Sequence, residues 1–340
     1  MKPTVHDIAR EAGVSLATVD RVLNARPGVR TATVERVQAA IERLGYVRDL
    51  SAANLARQRL YRFLFLLPDS GGQFFTDLKA AIREVSTGAL AHRTELKTLL
   101  VSNRDPAALI KALRSLDPND LDGVAIMARE TPLVRDTIAR LKAAGVAVVT
   151  LVSDQPNADR DHFVGFDNVA AGRTAGQLVG RFIGTSPGKV GVVITSTQSR
   201  DMIDRRRGFD AILQREFPNL DALPSVEAHD DAGTTERVAR HLLAAHPDLL
   251  GLYSAGASIA GIHAALRDHA GPKPVVIDHE LTPNSRIRLE DGTLDAVISQ
   301  NTGHLARSAV RVLRARVDGA EIIPSQERIR IDIITKENLP

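Results

Sequence analysis

The 340-residue chain contains no cysteine and no tryptophan, and aromatic residues make up only 4% of it. Without cysteine the chain can form no disulfide and no thiolate metal site. Its first thirteen residues, MKPTVHDIAREAG, carry charges where a secretory signal needs an apolar run. The apolar run at residues 63–67 is far too short to span a bilayer. These absences predict a soluble, cytoplasmic protein with no membrane partner.

The charge of the chain is distributed unevenly. Residues 1–62 hold 11 Lys and Arg against 6 Asp and Glu, a net of +5, whereas the remainder holds 33 against 35, a net of −2. The positive potential therefore lies on the first sixth of the chain, where a polyanion such as DNA would bind. The length itself predicts two or three domains.

Residues 4–24, TVHDIAREAGVSLATVDRVLN, have the pattern of two short helices joined by a tight turn. Thr4 can cap the first helix together with Asp7, in an acidic version of the capping box. Gly13 suits the left-handed residue that ends this helix, and Ser15 can cap the second one. The outer face of the second helix, near its start, then carries Leu16, Ala17, Asp20 and Arg21.

A helix, a glycine turn and a helix can place the second helix in the DNA major groove; an ordinary αα-hairpin inside an enzyme is the alternative. The run D-I-A-x-x-A-G-V-S-x-x-T-V-x-R-V-L-N at residues 7–24 resembles the opening of regulators of the lactose-repressor (LacI/GalR) family almost position for position. This resemblance favours DNA binding. It implies that Leu16 and Ala17 lie against bases and that Arg21 contacts a guanine edge or a phosphate.

The remaining DNA contacts are expected on polar residues suited to phosphates, which set register without reading sequence. This set consists of Thr4, Ser15, Thr18, Asn24, Arg30 and Thr33. Asp20 departs from the family, which commonly has Ser there. We expect its carboxylate to accept from a cytosine amino group or to pair with Arg21, and the operator to differ from the family average.

A third helix is expected from about Thr31 to Leu44, which completes a three-helix domain at residues 1–46. Residues 47–61 form a linker compatible with a short helix. By resemblance this is the hinge helix, in which Leu55 is wedged into the minor groove and Ala52 meets the partner hinge. The alternative is that Leu55 caps the core of the next domain. Arg48 and Asp49 stand where the family usually has Pro-Asn.

From residue 62 onwards apolar strands alternate with helices, which predicts an α/β fold with parallel sheets covered on both faces. Two doubly wound lobes fit this order. The resemblance to lactose-repressor-type regulators, whose core is similar to type I periplasmic sugar-binding proteins, extends to the closing T-K-E-N-L. It implies crossovers near Val164, Asn284 and Ile322, so that residues 62–164 and 285–321 form one lobe and residues 165–284 and 322–340 the other.

Ligands of open α/β lobes lie at the carboxyl ends of the strands, in the crevice between the lobes. The candidate effector residues at those ends are Phe74, Phe75, Ser153, Asp154, Asp167, Arg205, Ser254, Glu280 and Gln300. By resemblance, the two Phe, Arg205, Glu280 and Gln300 fall on effector-contact positions of sugar-binding relatives. The alternatives are that the Phe pair belongs to the core and that Arg205 pairs with a surface carboxylate. A family site usually has Asn near the end of LLGLYSAG, where this chain has Ser254, Ala255 and Gly256.

Catalytic patterns are weak. The segment GTSPGKV at residues 184–190 is one residue short of a phosphate-binding loop and precedes a strand instead of following one. His241 and His246 are five residues apart and do not share a helix face. The letters G-x-S-x-G occur at residues 184–188, but they precede a strand, whereas a nucleophile elbow has to follow one. We expect no catalytic residue, no metal and no cofactor.

Together these observations predict a homodimeric transcription regulator, most simply a repressor, that binds a near-palindromic operator in double-stranded DNA. A sugar or polyol between the lobes would control it allosterically, and whether ligand releases or promotes DNA binding stays open. The main rival is a sugar-binding protein of transport type, which has no use for residues 4–46. An enzyme with an accessory DNA-binding domain is a third reading.

Overall fold

The computed structural model describes residues 3–23, 26–46, 59–91, 93–102 and 105–340. The chain divides into two compact units, residues 1–59 and residues 60–340. Each unit has a hydrophobic core of its own. In the described part of the chain, no helix has both the length and the apolar composition that a membrane span requires.

The first unit contains three helices, α1 (Val5–Ala12), α2 (Leu16–Leu23) and α3 (Thr31–Leu44). The backbone N–H of Thr4 donates a 2.9 Å hydrogen bond to Oδ2 of Asp7, as the capping-box pattern predicts. Gly13 ends α1 with φ of 62°, a left-handed conformation in which a Cβ is costly. Oγ of Ser15 accepts from the backbone N–H of Thr18 at 3.2 Å and so caps α2. The three-helix domain predicted from the sequence is confirmed.

One small core holds these three helices together. Its fully buried side chains come from every helix: Ile8, Ala12, Val19, Val37 and Ala40. Because α3 covers the apolar faces of α1 and α2, the opposite face of α2 remains open to solvent. A core of this size is marginal by itself.

The second unit is built from two sheets with helices on their faces. Its strands are β1 (Tyr61–Asp69), β2 (Thr94–Ser102), β3 (Gly123–Ile126), β4 (Ala147–Leu151), β5 (His162–Val164), β6 (Gly188–Ile194), β7 (Leu220–Ala222), β8 (Val226–Glu227), β9 (Leu249–Ser254), β10 (Val275–His279), β11 (Ala296–Ser299) and β12 (Asp332–Ile334).

The helices of this unit alternate with the strands along most of the chain, as predicted. They are α4 (Gln73–Ala91), α5 (Pro106–Arg114), α6 (Pro132–Ala143), α7 (Asn168–Ile183), α8 (Arg200–Glu216), α9 (Ala232–Ala245), α10 (Ile259–Arg267), α11 (Pro283–Glu290), α12 (Thr302–Asp318) and α13 (Pro324–Glu327), with short 3₁₀ turns at Pro118–Asp120 and Lys336–Asn338.

The first sheet is parallel, in the order β2-β1-β3-β4-β5. Successive side chains of β1 point to opposite faces. Phe63 and Phe65 therefore enter the core shared with α4 and α12, while Leu64 and Leu66 enter the core shared with α5 and α6. This sheet and its four helices are called the first lobe below.

The second sheet has the order β12-β11-β10-β9-β6-β7, with β8 also paired to β6. All its pairings are parallel except that of β12 with β11. This sheet and helices α7 to α11 form the second lobe. The α/β architecture of two lobes predicted from the sequence is confirmed.

The crossover predicted near Asn284 is wrong. β11 pairs in parallel with β10, with Ile277 opposite Ala296, and so belongs to the second lobe. The chain returns to the first lobe only at Asn301, whose side chain caps α12 by accepting from the N–H of His304. The physical reason is that a strand, a short helix and a strand form one right-handed unit, whose second strand lies most readily in the same sheet.

The end of α12 is anchored to the first strand of the first lobe. The hydroxyl of Tyr61 donates to the carboxylate of Asp318, with distances of 2.7 Å to Oδ1 and 3.0 Å to Oδ2. The guanidinium of Arg314 lies over the Tyr61 ring, 4.8 Å from its centre. After α12 the chain re-enters the second sheet as β12, so the third crossover lies between these two elements, around the predicted residue 322.

Candidate DNA interface and effector cleft

The outer face of α2 is exposed. Leu16 has 43% of its surface accessible to solvent, although it is apolar. Ala17, Asp20 and Arg21 are exposed beside it. An exposed leucine at the start of a helix, followed by exposed polar residues on its next turn, is an arrangement that a base-reading helix presents to the major groove.

Asp20 has a cationic neighbour on the segment that follows α2. Nη1 of Arg26 lies 3.4 Å from Oδ2 of Asp20, and both side chains are more than half exposed. The backbone N–H of Arg26 donates to the carbonyl of Arg21 at 2.9 Å, which brings the segment back against the helix. The sequence left a cytosine amino group and Arg21 open as partners of this carboxylate, and the structure adds Arg26.

The residues expected to contact phosphates lie near the ends of the three helices. Thr4 and Ser15 are the capping residues of α1 and α2, and Arg30 precedes α3. Thr4, Ser15 and Arg30 are exposed, and Thr18 and Thr33 are half-buried. Asn24, Ala52 and Leu55 lie outside the described residues.

In the second lobe, the carboxyl ends of the central strands bring three predicted effector residues together. Arg205 lies on α8, Glu280 directly follows β10 and Gln300 directly follows β11. Because β10 and β11 are parallel neighbours, the residues after them lie side by side. These three side chains are called the acceptor cluster below, since two of them offer oxygen atoms to a ligand.

Arg205 is 97% buried, which excludes the alternative of a surface ion pair. Its Nε donates to Oδ1 of Asn168 at 2.8 Å and its Nη1 to the carbonyl of Ala255 at 3.2 Å. Its guanidinium also lies 5.3 Å from the centre of the Phe166 ring, within the range of a cation–π contact. Nη2 points towards Glu280, with a separation of 4.0 Å from Oε1. A buried guanidinium held on three sides presents its remaining edge in a fixed direction.

Glu280 and Gln300 form a pair. Nε2 of Gln300 donates to Oε1 of Glu280 at 2.9 Å, and the backbone N–H of Gln300 donates to Oε2 at 3.3 Å. Burial raises the pKa of Glu280 above its ordinary value, against the opposing effect of Arg205. The backbone of Glu280 has φ of 69°, an unusual conformation for a residue with a long side chain. Oε1 of Gln300 is buried and has no hydrogen-bond partner among the described residues.

Two more titratable groups lie beneath the cluster on β10. Nε2 of His279 and the hydroxyl oxygen of Tyr253 lie 2.8 Å apart and share a hydrogen bond. Burial lowers the pKa of His279 well below its ordinary value, which keeps the ring neutral. The neighbouring carboxyl of Asp278 is 98% buried, and this burial raises its pKa to about 7. These two residues of β10 are therefore a neutral histidine and a carboxyl that titrates near neutral pH.

Close contact between α7 and α8 positions Arg205. A Cβ on Gly172 would lie 1.9 Å from the carbonyl oxygen of Arg205, and a Cβ on Gly208 would lie 2.0 Å from that of Val169. No side chain fits at either place, because both obstacles are backbone atoms. The two glycines let the helices approach until Nε of Arg205 reaches Asn168 at the start of α7.

Two of the predicted effector residues have other contacts in the structure. Both oxygens of Asp154 are held by Arg160, and Oδ1 also accepts from the Thr150 hydroxyl at 2.8 Å. Burial opposes ionisation of Asp154, but the bonds from Arg160 and Thr150 prevail and lower its pKa. Asp167 is exposed and caps α7 by accepting from the N–H of Ala170 at 2.9 Å. Neither carboxylate joins the acceptor cluster.

The two Phe residues begin α4 in the first lobe. Their rings meet edge to face, with centres 5.6 Å apart, and both are half-buried against the core. The adjacent loop reaches the second lobe, since the Ser70 hydroxyl donates to Oδ2 of Asp230 at 3.3 Å. The first-lobe face of the cleft is therefore partly core and partly exposed aromatic surface.

The remaining predicted residues also lie where the lobes meet or just beneath. The Ser153 hydroxyl donates across the cleft to Oδ1 of Asp201 at 3.3 Å. A second link joins Nη1 of Arg129 to Oε1 of Gln198 at 2.8 Å. Ser254 is fully buried at the end of β9. Sequence reasoning missed the cross-lobe partners Asp201 and Asp230, because nothing in a single sequence indicates which loops meet.

The sequence places Asp167 and Asn168 together after the first crossover, and in the structure Asn168 is the one of the two that contacts Arg205. Among the described residues, no group of three or more His, Asp and Glu side chains is arranged to hold a metal ion.

Comparisons with known proteins agree with this division of the chain. Residues 63–321 match the family described as "Periplasmic binding protein domain", and residues 4–49 match the family described as "Bacterial regulatory proteins, lacI family". The crystal structure of GanP, a glucose-galactose binding protein from Geobacillus stearothermophilus, superposes with a TM-score of 0.73 at 20% identity, covering 83% of this chain and 99% of that one. At this identity the likeness shows the fold.

Two curated relatives are named as control or regulatory proteins. Catabolite control protein A of Priestia megaterium is 30% identical over 155 residues, which cover 45% of this chain and 44% of that protein. Maltose regulon regulatory protein MalI of Escherichia coli (strain K12) is 36% identical over 125 residues, which cover 37% of this chain and 35% of that protein. The chain spans less than half the length of both relatives.

Proposed function

Because the chain belongs to the periplasmic binding protein domain family and carries an N-terminal helix-turn-helix domain of the lacI family of bacterial regulatory proteins, we propose that it is a sugar-responsive transcription regulator. The observation that carries the DNA-binding half is the exposed face of α2, with an apolar Leu16 43% accessible at its start and Arg21 exposed in its last turn. An αα-hairpin packed inside an enzyme would bury this face of its second helix.

At the DNA, α2 enters the major groove. Leu16, Ala17 and Arg21 contact base edges, and Asp20 accepts from a cytosine amino group when its bond to Arg26 opens. Phosphates are held by Thr4, Ser15, Thr18, Arg30 and Thr33. Asn24 belongs to the same set, and Ala52 and Leu55 act as the minor-groove hinge. The protein works as a homodimer in the cytoplasm, on a near-palindromic operator.

At the cleft, the acceptor cluster recognises the effector. The carboxylate of Glu280, the free Oε1 of Gln300 and the remaining edge of Arg205 match the alternating donors and acceptors of neighbouring sugar hydroxyls. Phe74 and Phe75 offer an aromatic face to the apolar side of the ring. A sugar or polyol fits this set better than a phosphorylated compound, because the single guanidinium already faces a carboxylate. The chain has no catalytic role in this account.

The proposed DNA binding is tested by selecting duplexes from a randomised pool and measuring the affinity of the full chain for them by fluorescence anisotropy. We expect tight binding that weakens steeply with salt, because phosphate contacts release counterions. Arg21→Glu abolishes it. Arg237→Glu, the same charge change on an exposed residue of α9, leaves it intact. Equal affinity of the two variants, or no binding to any duplex at low salt, contradicts the proposal.

A sugar-binding protein of transport type is the second candidate, favoured by the two-lobed fold shared with GanP. The same selection separates the two functions, because a transport protein binds sugar but selects no duplex. Calorimetry with D-glucose and D-galactose supplies the other half of the comparison.

A further inference from the structure

We propose that Asn168 is a positioning residue that links Arg205, in the second lobe, to a strained turn at Val152, in the first lobe. A ligand that contacts Arg205 therefore affects the first lobe through the side-chain amide of Asn168. The regulatory role of this link rests on the proposed function. The hydrogen bonds that form the link join the two lobes whatever that function is.

The turn at Val152 is strained. Val152 follows β4 and has φ of 63°, a conformation that β-branched residues avoid. The N–H of Ser153 donates to the carbonyl of Leu151 at 2.7 Å, which closes a three-residue turn of a kind that is rare and costly. Val152 is 98% buried, and its own N–H donates to the carbonyl of Val164 at 2.9 Å. Such a conformation persists only where the surroundings hold it in place.

Asn168 engages both halves of its amide. Its Oδ1 accepts from Nε of Arg205 at 2.8 Å, and its Nδ2 donates to the carbonyl of Val152 at 3.4 Å. A guanidinium can only donate and a carbonyl can only accept, so the two neighbours fix the orientation of the amide. Asn168 is 94% buried, so water cannot readily replace either neighbour.

The position of Asn168 makes this contact a link between the lobes. It is the first residue of α7, directly after the chain crosses from the first lobe to the second. A second bond runs beside it, because the Ser153 hydroxyl donates to Asp201 on α8, the helix that carries Arg205. The strained turn is therefore tied at two adjacent residues to the helix that presents the guanidinium.

A ligand acts on this link through Arg205. The Nη2 edge of Arg205 faces Glu280 at 4.0 Å, a distance too long for a good hydrogen bond. A ligand that bonds to this edge displaces the guanidinium slightly, and Nε shifts with it because the group is planar. The bond from Asn168 to the Val152 carbonyl then strengthens or breaks, which shifts the balance between two states of the turn.

The test requires neither ligand nor DNA. Hydrogen–deuterium exchange of the full chain, followed by mass spectrometry, reports on the amides of Val152 and Ser153. We expect Arg205→Leu to accelerate their exchange roughly tenfold, the change expected on losing one hydrogen bond of a charged group. The matched control is Arg206→Leu, since Arg206 bonds to Asp210 and to the carbonyl of Leu223 within the second lobe and leaves the turn unchanged.

Asn168→Asp distinguishes a link from a general loss of packing. The variant keeps an oxygen for Arg205 but turns a second oxygen towards the Val152 carbonyl, and the two acceptors repel. We expect faster exchange at residues 152–153 and unchanged exchange along α8 near Arg205. In this background Arg205→Leu adds nothing further at the turn.

Two results overturn the proposal. In the first, Arg205→Leu leaves hydrogen exchange at residues 152–153 unchanged. In the second, Arg205→Leu accelerates this exchange equally in the wild type and in the Asn168→Asp variant. Thermal melting shows whether each variant is folded, and Arg205→Lys replaces Arg205→Leu if the latter unfolds. A working link in a protein that selects no duplex would refute the proposed function alone.

Discussion

Nε2 of Gln300 donates a 2.9 Å hydrogen bond to Oε1 of Glu280, and this pair determines which atoms the cleft offers to a ligand. The bond leaves Oε1 of Gln300 buried without a partner. A buried acceptor without a donor destabilises the protein, and a ligand hydroxyl that donates to it removes this unfavourable free energy. The pair thus favours a donor-bearing ligand at this edge of the second sheet.

The first prediction concerns this pair. Gln300→Leu removes the free acceptor and the donor to Glu280, so we expect sugar affinity to fall about 10- to 100-fold. Isothermal titration calorimetry with D-glucose and D-galactose measures it. The matched control, Gln214→Leu on the exposed side of α8, keeps wild-type affinity. If the two variants bind sugar equally, Gln300 is not an effector residue.

The second prediction concerns pH and Asp278. Burial raises the pKa of this carboxyl from an ordinary value near 3.8 to about 7. The folded chain therefore holds one more proton than the unfolded chain between these values, and the stabilising contribution of the neutral form is lost as pH rises from about 4 to 7. The free energy of unfolding of the wild type falls by at most about 4 kcal/mol across this range.

Asp278→Asn keeps the shape of the side chain and removes the titration. Urea unfolding across pH 4.5 to 8 measures the effect. We expect the variant to differ least from the wild type near pH 4.5 and to be more stable than the wild type at pH 8. A wild-type stability that rises across this range more steeply than that of the variant would contradict the assignment.

The third prediction concerns the contact between α7 and α8. Gly172→Ala forces a Cβ against the backbone carbonyl of Arg205, so the helices must separate, at a cost of about 1–3 kcal/mol or more. Sugar affinity falls too, because Arg205 moves away from Asn168. Gly88→Ala is the control, since Gly88 lies inside α4 with no neighbouring atom within 4 Å of the added Cβ.

The two alanine variants should change stability in opposite directions. Alanine in place of an interior helical glycine stabilises by roughly 0.5–1 kcal/mol when space is open. Denaturant unfolding of both variants measures the difference. If Gly172→Ala is as stable as Gly88→Ala, α7 and α8 do not pack as closely as the structure places them.

The fourth prediction concerns operator preference. Asp20→Ser removes the carboxylate that Arg26 approaches and any bond to a cytosine amino group. Selection from a randomised pool should then yield a different base opposite this residue, while affinity for unrelated duplex rises because a negative charge is gone. Identical selected sequences for the variant and the wild type would exclude Asp20 from base recognition.

The local features of the chain could be predicted from its sequence, because each depends on residues close together. Thr4 and Asp7 form their capping bond and Gly13 ends α1 in the left-handed conformation, and both follow from the properties of three residues. The alternation of strands and helices after residue 62 follows from hydrophobic periodicity. The candidate positions of Glu280 and Gln300, after two strands, and of Arg205, on the helix that follows β6, could be chosen because ligand sites in such folds lie at the carboxyl ends of the strands.

Long-range choices could not be predicted in the same way. β11 is buried on both faces and would fit either sheet, so its apolar sequence does not indicate which one it joins. Asp154 looked available at a strand end, but Arg160 six residues later holds its carboxylate. The partner of Asp20 depends on how the segment after α2 turns back. These outcomes depend on packing, which periodicity does not specify.

In the proposed function, one chain couples a sugar cleft to a DNA-binding surface. The most direct test is the affinity of the full chain for its selected duplex, measured by anisotropy with and without a sugar that calorimetry has shown to bind. The account predicts a change of about 5- to 150-fold, lost in Gln300→Leu although DNA affinity without sugar is retained. An affinity for DNA that saturating sugar leaves unchanged would contradict it.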